Sequence, residues 1–240
     1  MKKLIILLAV PLLFFTSCRE IFGKRINGDG NIKSESRTAG SFNSVDVGGA
    51  VDLYLKQDAG QSITIEADAN LMQYIDVFNE GDKLVVKTKN GFNLNPSRDI
   101  KVSVSAPLFR KIGASGACDV FTVNQLVSNE PFSLELSGAS NGKLDVKAPS
   151  IDTDLSGACG VEFKGETKDL SAEGSGSVNF KCFDLLAENV KVDISGAGDA
   201  EVYASQKLNV EVSGAAGVKY KGNANVSQSV SGAGSVKKVD

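Results

Sequence analysis

Phe132-Ser133-Leu134-Glu135-Leu136-Ser137-Gly138-Ala139 is followed nineteen residues on by Ile151-Asp152-Thr153-Asp154-Leu155-Ser156-Gly157-Ala158. Each stretch is an alternating apolar–polar run that ends in Ser-Gly-Ala. The tripeptide, or a one-residue variant, recurs at Ser115, Ser137, Ser156, Ser175, Ser195, Ser213 and Ser231, with glycine-to-glycine spacings of 22, 19, 19, 20, 18 and 18. A period near nineteen marks a stacked array, because a unit this short cannot bury its own apolar face.

The alternation before each motif has period two: Phe132, Leu134 and Leu136; Ile151, Thr153 and Leu155; Val190, Val192 and Ile194; Leu208, Val210 and Val212; Val226, Gln228 and Val230. One face of each run is therefore inward and the other wet. A second strand follows the motif, with Val161 and Phe163, Val178 and Phe180, Ala200 and Val202, and Val218 and Tyr220 inward. Each repeat reads as strand, glycine turn, strand, second turn. The spacing predicts an all-β parallel β-helix, a β-solenoid of about nineteen residues per coil, with regular coils over residues 113–240. An antiparallel sandwich is the alternative, and it gives no reason for so constant a phase.

Glycine at the same place in every copy, Gly116, Gly138, Gly157, Gly176, Gly196, Gly214 and Gly232, predicts a corner that needs positive φ or close backbone approach. Gly174 competes with Gly176 for that place. Residues 26–112 keep the pattern loosely. Val45, Val47 and Gly48-Gly49-Ala50 lead to Leu53 and Leu55 in the same phase, so an earlier, degenerate coil with Gly49 at its corner is expected. Ala69–Tyr74 reads as one helical turn and Gly91–Ser97 as an exposed loop.

At the start of the chain, Met1-Lys2-Lys3 precedes an apolar run from Leu4 to Phe15 and then Thr16-Ser17-Cys18. Twelve apolar residues fall short of the roughly twenty that span a bilayer, so residues 1–17 read as a signal peptide. Cys18 in that setting resembles a bacterial lipobox cysteine and is the expected lipid anchor, with Phe15 in place of the usual Leu three residues before it. Residues 18–25 would be a lipid-anchored tether. The expected location is the outer membrane, on its surface or periplasmic face.

Composition narrows the function. Taking the two lysines of the leader from 26 basic residues leaves 24 against 29 acidic ones, which disfavours nucleic acid as a partner. Histidine and tryptophan are absent, so His-based triads and His-ligated metals are excluded, and no metal or cofactor is expected. No arginine follows Arg110. Cys118, Cys159 and Cys182 form no disulfide framework; the first two follow the motif two copies apart, beyond the reach of a bridge.

Aligning the repeats puts Glu135, Asp154, Asp193 and Glu211 each two residues before the motif serine, on the outward face. At about 4.8 Å per layer they would form a column of carboxylates that raise one another's pKa, a candidate for cation or ligand binding beside the plainer reading of a charged, solvated face. One layer, between Asp154 and Asp193, offers no clear member. Asp52, Asp119 and Asp199 share a turn position, and the repeated serines are expected to hydrogen-bond at the corner. Lys237, Lys238 and Asp240 put charge on the last strand and predict a monomer.

The ordered series Gly28-x-Gly30-x-Ile32, Arg37, Phe42-x-x-Val45-x-Val47-x-Gly49, Ile63-x-Ile65-Glu66-Ala67-Asp68-x-Asn70-Leu71, followed by the Ser-Gly-Ala repeats, resembles the autotransporter adhesin, head GIN domain family over residues 26–236. The resemblance implies a β-solenoid envelope lipoprotein with no catalytic residues to carry over. The expected function is a non-enzymatic surface module binding a glycan or protein. A periplasmic structural or assembly lipoprotein is the alternative, and a polysaccharide-active enzyme is disfavoured by the lack of Arg and His in the repeats.

Overall fold

The computed structural model describes residues 23–240, so the proposed leader and the Cys18 anchor lie outside the described residues. The described chain is all-β, with one 3-10 turn at Met72–Tyr74 in the stretch read as helical. Its strands are β1 (Lys24–Asn27), β2 (Ile32–Arg37), β3 (Ser44–Gly49), β4 (Val51–Gln57), β5 (Ser62–Asp68), β6 (Ile75–Glu80), β7 (Lys83–Thr88) and β8 (Phe92–Asn95). They continue as β9 (Ile100–Ala106), β10 (Lys111–Gly116), β11 (Asp119–Thr122), β12 (Leu126–Val127), β13 (Phe132–Gly138), β14 (Asn141–Lys221), β15 (Asn225–Gly232) and β16 (Ser235–Lys238). No helix among the described residues is long and apolar enough to cross a membrane.

From β10 onward the chain returns to the same line on every pass. β10 lies parallel to β13 with Gly116 opposite Gly138, and β13 lies parallel to the start of β14 with Gly138 opposite Gly157. The end of β14 lies parallel to β15 with Gly214 opposite Gly232. Within β14 the same register continues, since Gly176 sits over Gly157, Gly196 over Gly176 and Gly214 over Gly196. β14 runs for 81 residues because the pairing continues around the corners of successive layers.

The period-two pattern sets which side chains enter the interior. Phe132, Leu134, Leu136, Ile151, Thr153, Leu155, Val190, Val192, Ile194, Leu208, Val210 and Val212 are buried, as are Val161, Phe163, Val178, Phe180, Ala200, Val202 and Val218. Two of the buried rings sit beside smaller side chains. The register that sets Gly176 on Gly157 also sets Cys182 on Phe163 and Phe180 on Val161, and the next layer puts Ala200 beside Phe180. Layers a strand spacing apart cannot hold a phenylalanine at every position, and Phe163 and Phe180 each have a smaller neighbour in an adjacent layer.

The first part of the chain is laid down out of order. β3 lies between β10 and β7, all parallel, with Val45 opposite both Ile112 and Leu84. β4 likewise lies between β11 and β9, with Leu53 opposite Val120 and Val102. The layer of β3 and β4 is thus inserted between two layers that come later in sequence. Antiparallel strands then close this end: β6 on β7, β5 on β9 and β2 on β5.

Three readings from sequence change here. Residues 91–97, expected as an exposed loop, contain β8, which pairs in parallel with β1. Lys24 and Arg25, expected at the end of a tether, belong to β1, and the Lys24 N–H donates to the Gly91 carbonyl at 2.7 Å. Val226, Gln228 and Val230 keep the inward phase over Leu208, Val210 and Val212, yet the whole of β15 is exposed because β14 is its sole strand partner among the described residues. Tyr220, near the same end, is half-buried.

Candidate binding surface

The sides of the stack are straight columns of outward side chains, and the corner glycines keep those columns in line. Gly49, Gly116, Gly138, Gly157, Gly176, Gly196, Gly214 and Gly232 all have φ between 83° and 133°. A Cβ on Gly157 would lie 2.5 Å from the Gly138 carbonyl oxygen, and one on Gly214 would lie 2.1 Å from that of Gly196. Positive φ and close layer contact therefore require glycine together. The corner is tied at the position after the motif. The Ser140 hydroxyl accepts from the Cys118 N–H at 3.2 Å and donates to the Ser137 carbonyl at 2.9 Å, and the Cys159 thiol points to the Ser156 carbonyl at 3.3 Å. Cys118 and Cys159 act as buried counterparts of Ser140. All three described cysteines are free; burial raises the Cys118 thiol and pushes that of Cys182 up to about 12.

Glu135 and Asp154 stand opposite each other in the pairing of β13 with β14. The glycine register puts Glu173 between Asp154 and Asp193, filling the layer that sequence alignment leaves open. Asp46 extends the line at the other end: Gly113 separates it from Glu135, and a Cβ on Gly113 would meet the Asp46 carboxylate at 3.1 Å. The signal for Glu173 was the choice of Gly176 over Gly174 as the corner, which its φ of 104° decides.

This column is not a run of bare carboxylates. Lys111 pairs with Glu135, Lys191 bonds Glu173 at 2.8 Å and approaches Asp193 at 3.9 Å, and Lys83 reaches Asp46 at 3.6 Å. The Lys191 bond holds Glu173 below the usual carboxylate range, opposite to the mutual raising expected from sequence. Among the described residues no group of three or more acidic, Cys or His side chains is arranged to hold a metal ion. Shallow cavities of about 310 and 260 Å³ line the column between Asp46 and Glu173.

Like charges do meet at the turn position. Asp52 and Asp119 are in register, and Asp52 is raised by burial first, then by Asp99 and Asp119, against the pull of Lys101. Asn141 continues the column and donates to Asp119 at 3.1 Å. Asp199 lies far along the same side, in register with Gly217, where a Cβ would be 2.6 Å from its carboxylate. Beside this column Lys143 bonds Glu162 at 2.8 Å and Lys219 bonds Glu201 at 3.0 Å. Between Asp119 and Lys181 the surface dips into an open cavity of about 590 Å³ at Gly142 and Gly160, edged by Phe121, Asn141 and Asn179. Tyr54 stacks on Phe121 with ring centres 5.2 Å apart, Tyr74 packs 4.6 Å from Phe92, and Tyr203 edges a second 590 Å³ cavity with Leu186.

The N-terminal motif residues form a structural cradle. Asp68 is fully buried and accepts from the Gly30 N–H at 2.7 Å, the Ser97 N–H at 2.9 Å and the Ser97 hydroxyl at 2.6 Å. Burial alone would raise its pKa, but these donors together hold it below the ordinary value. A Cβ on Gly28 would strike that carboxylate at 2.3 Å. Asn70 accepts from the Asp29 N–H and donates to the Asn27 carbonyl. Gly28, Gly30, Asp68 and Asn70 thus fasten β1 and β2 to the closed end.

The stacked strands and their outward columns define an all-β protein built of repeated layers. The chain belongs to the family described as "Putative auto-transporter adhesin, head GIN domain", whose model matches residues 41–224. No curated protein matches it. Among solved structures it is similar to a "putative adhesin" of Bacteroides fragilis, at 21% identity and TM-score 0.85, over 89% of this chain and 100% of that one. It is also similar to a "putative lipid binding protein" of Parabacteroides distasonis, at 23% identity and TM-score 0.75, over 90% and 100% of the two chains. A "putative adhesin" of Parabacteroides merdae follows at 22% identity and TM-score 0.74, over 91% and 100%. At these identities the likeness is one of fold.

Proposed function

We propose that the protein is a non-enzymatic, adhesin-type module of the cell envelope, in which a parallel β-solenoid of about nineteen residues per coil is held to the outer membrane through Cys18 and displays its sides to a glycan or protein. The observation that carries this reading is the set of straight outward columns, from Asp46 to Glu211 and from Lys143 to Lys219, on a backbone whose corners are locked by glycine. A rigid surface with a repeat near the strand spacing of about 4.8 Å matches extended partners better than small molecules. Family membership and the names of the Bacteroides and Parabacteroides structures support the same direction.

The test follows the protein by antibody in intact cells treated with a protease that does not cross the outer membrane, with lysed cells as the control. Cleavage in intact cells, together with loss from the membrane fraction when Cys18→Ser is introduced, is the expected result. Protection until lysis would place the module in the periplasm and favour the assembly reading. Retention of Cys18→Ser in the membrane would remove the lipid anchor from the account.

A further inference from the structure

The two ends of the stack are finished differently. At the N-terminal end the outer strands carry charge: Lys33, Glu35 and Arg37 on β2, Asp76 and Glu80 on β6. Charge on an edge strand discourages pairing with another chain. At the other end β15 reads Asn225-Val226-Ser227-Gln228-Ser229-Val230-Ser231-Gly232, eight residues with no charge and no proline. Its aligned strands in earlier layers each hold a charge, among them Lys111, Glu135, Asp154, Glu173, Lys191 and Glu211. Among the described residues β15 pairs only with β14, which leaves the N–H and C=O groups of its outer edge without a strand partner there, and Val226 and Val230 are 38% and 39% exposed at positions that are buried in earlier layers.

Residues 226–230 are also a palindrome, Val-Ser-Gln-Ser-Val. We infer that this edge joins two copies of the chain tail to tail, with β15 antiparallel to the β15 of the partner and the dyad at Gln228. A two-fold interface must be self-complementary, residue i meeting j and j meeting i. In this pairing Val226 meets Val230 of the partner subunit, Ser227 meets Ser229 of the partner subunit, and the two Gln228 amides can donate to each other reciprocally. Directly opposed residues of an antiparallel pair share a face, so the valines extend the apolar interior across the junction. A glutamine at an interior position is then explained, since it lies on the axis with its own copy as hydrogen-bond partner.

β16 favours the same choice. It carries Lys237 and Lys238, so an arrangement that sets β16 on β16 brings like charges together, and the dyad falls on β15 instead. This revises the monomer expected from Lys237, Lys238 and Asp240, which guard β16 and leave β15 open. The closed N-terminal end stops growth at two copies. The inference needs no part of the envelope reading. If that reading also holds, chains fixed by their N-termini would meet from facing surfaces, because β1 belongs to the end opposite β15.

The experiment is sedimentation velocity of the purified protein over a concentration series, with three variants whose thermal midpoints are checked by circular dichroism. Wild type is expected to be a dimer that dissociates on dilution. Ser227→Glu with Ser229→Glu opposes like charges at both symmetric pairs and should weaken the dimer about tenfold or more. Ser227→Lys with Ser229→Glu sets opposite charges across the same pairs and should restore it. Gln228→Cys brings two thiols to the separation of facing strand residues, about 5 Å, and should give a disulfide-linked dimer on mild oxidation, because the described native cysteines are buried. A wild type that stays monomeric throughout, oligomers longer than two, or equal effects of the Glu–Glu and Lys–Glu variants would each overturn the inference.

Discussion

The two parts of this chain solve one problem by different means. Residues 111–238 stack by repetition, each layer copying the register of the one before, so that one glycine corner and one alternating strand specify the whole. Residues 23–106 insert a layer out of order, reverse strand direction and close the stack with specific polar contacts such as those of Asp68. Repetition propagates but cannot end itself, whereas an end needs features that no repeat supplies. Single substitutions should therefore act by different routes in the two parts.

The largest effect is expected at a central corner. Gly157→Ala forces a side chain to φ of 100° and puts its Cβ 2.5 Å from the Gly138 carbonyl oxygen. Backbone strain together with forced separation of two layers should cost about 4 kcal/mol. Gly30→Ala has a φ of 77° but nothing within 4 Å, and should cost about 1 kcal/mol. Urea midpoints of the two variants measure the layer contact by difference, and equal losses would show that close approach contributes nothing.

Next comes the closed end. Asp68→Ala removes the acceptor of three hydrogen bonds and leaves the Gly30 and Ser97 donors without it, at a cost of about 3 kcal/mol. The folded carboxyl is held below 3.8, so the stabilisation from Asp68 is fully present above that value and drains away as pH falls through the lower folded value. A urea titration from pH 6 to pH 2 should show wild type losing stability in acid more steeply than Asp68→Asn, which has no proton to take up there. Parallel curves would remove Asp68 as a source of the acid dependence.

These contrasts follow what could be read from the amino acids. The corner at Gly138 and Gly157 and the inward faces at Leu134, Leu136, Leu155 and Val192 were legible, because a period of two within a period of nineteen leaves few alternatives. Glu173 escaped because Gly174 and Gly176 both fit the corner until backbone conformation chose between them. β8 and β1 escaped because short strands far apart in sequence carry no local sign of their partner. The insertion of β3 between β7 and β10 escaped for the same reason: parallel pairing leaves no mark of layer order on alternating apolar residues. Asp68 was visible as a motif residue, but its role depends on Ser97, twenty-nine residues away.

A smaller effect of opposite sign is expected inside the stack. The Thr153 hydroxyl is buried without a hydrogen-bond partner, opposite Leu134 of the preceding layer. Thr153→Val keeps the shape and removes the unsatisfied group, so it should stabilise by about 1 kcal/mol. The contrast with Asp68 is that one buried polar group is fully satisfied and the other is not. A destabilised Thr153→Val, measured by urea unfolding, would mean that the hydroxyl finds a partner in solution.

The smallest effect is expected on the outward columns. Glu162 bonds Lys143 at 2.8 Å, but both side chains are about half exposed, 48% and 63%. Solvent screens such a pair and two long side chains lose freedom in making it, so Glu162→Gln should change stability by less than about 0.5 kcal/mol. The register is already fixed by corner glycines and backbone pairing, and the charges need not hold the layers together. Their side chains are therefore free to vary without loss of the frame. If Glu162→Gln instead lowers stability as much as Asp68→Ala, or if wild-type stability falls steeply between low and high salt, the columns are part of what holds the stack together and the division between frame and surface fails.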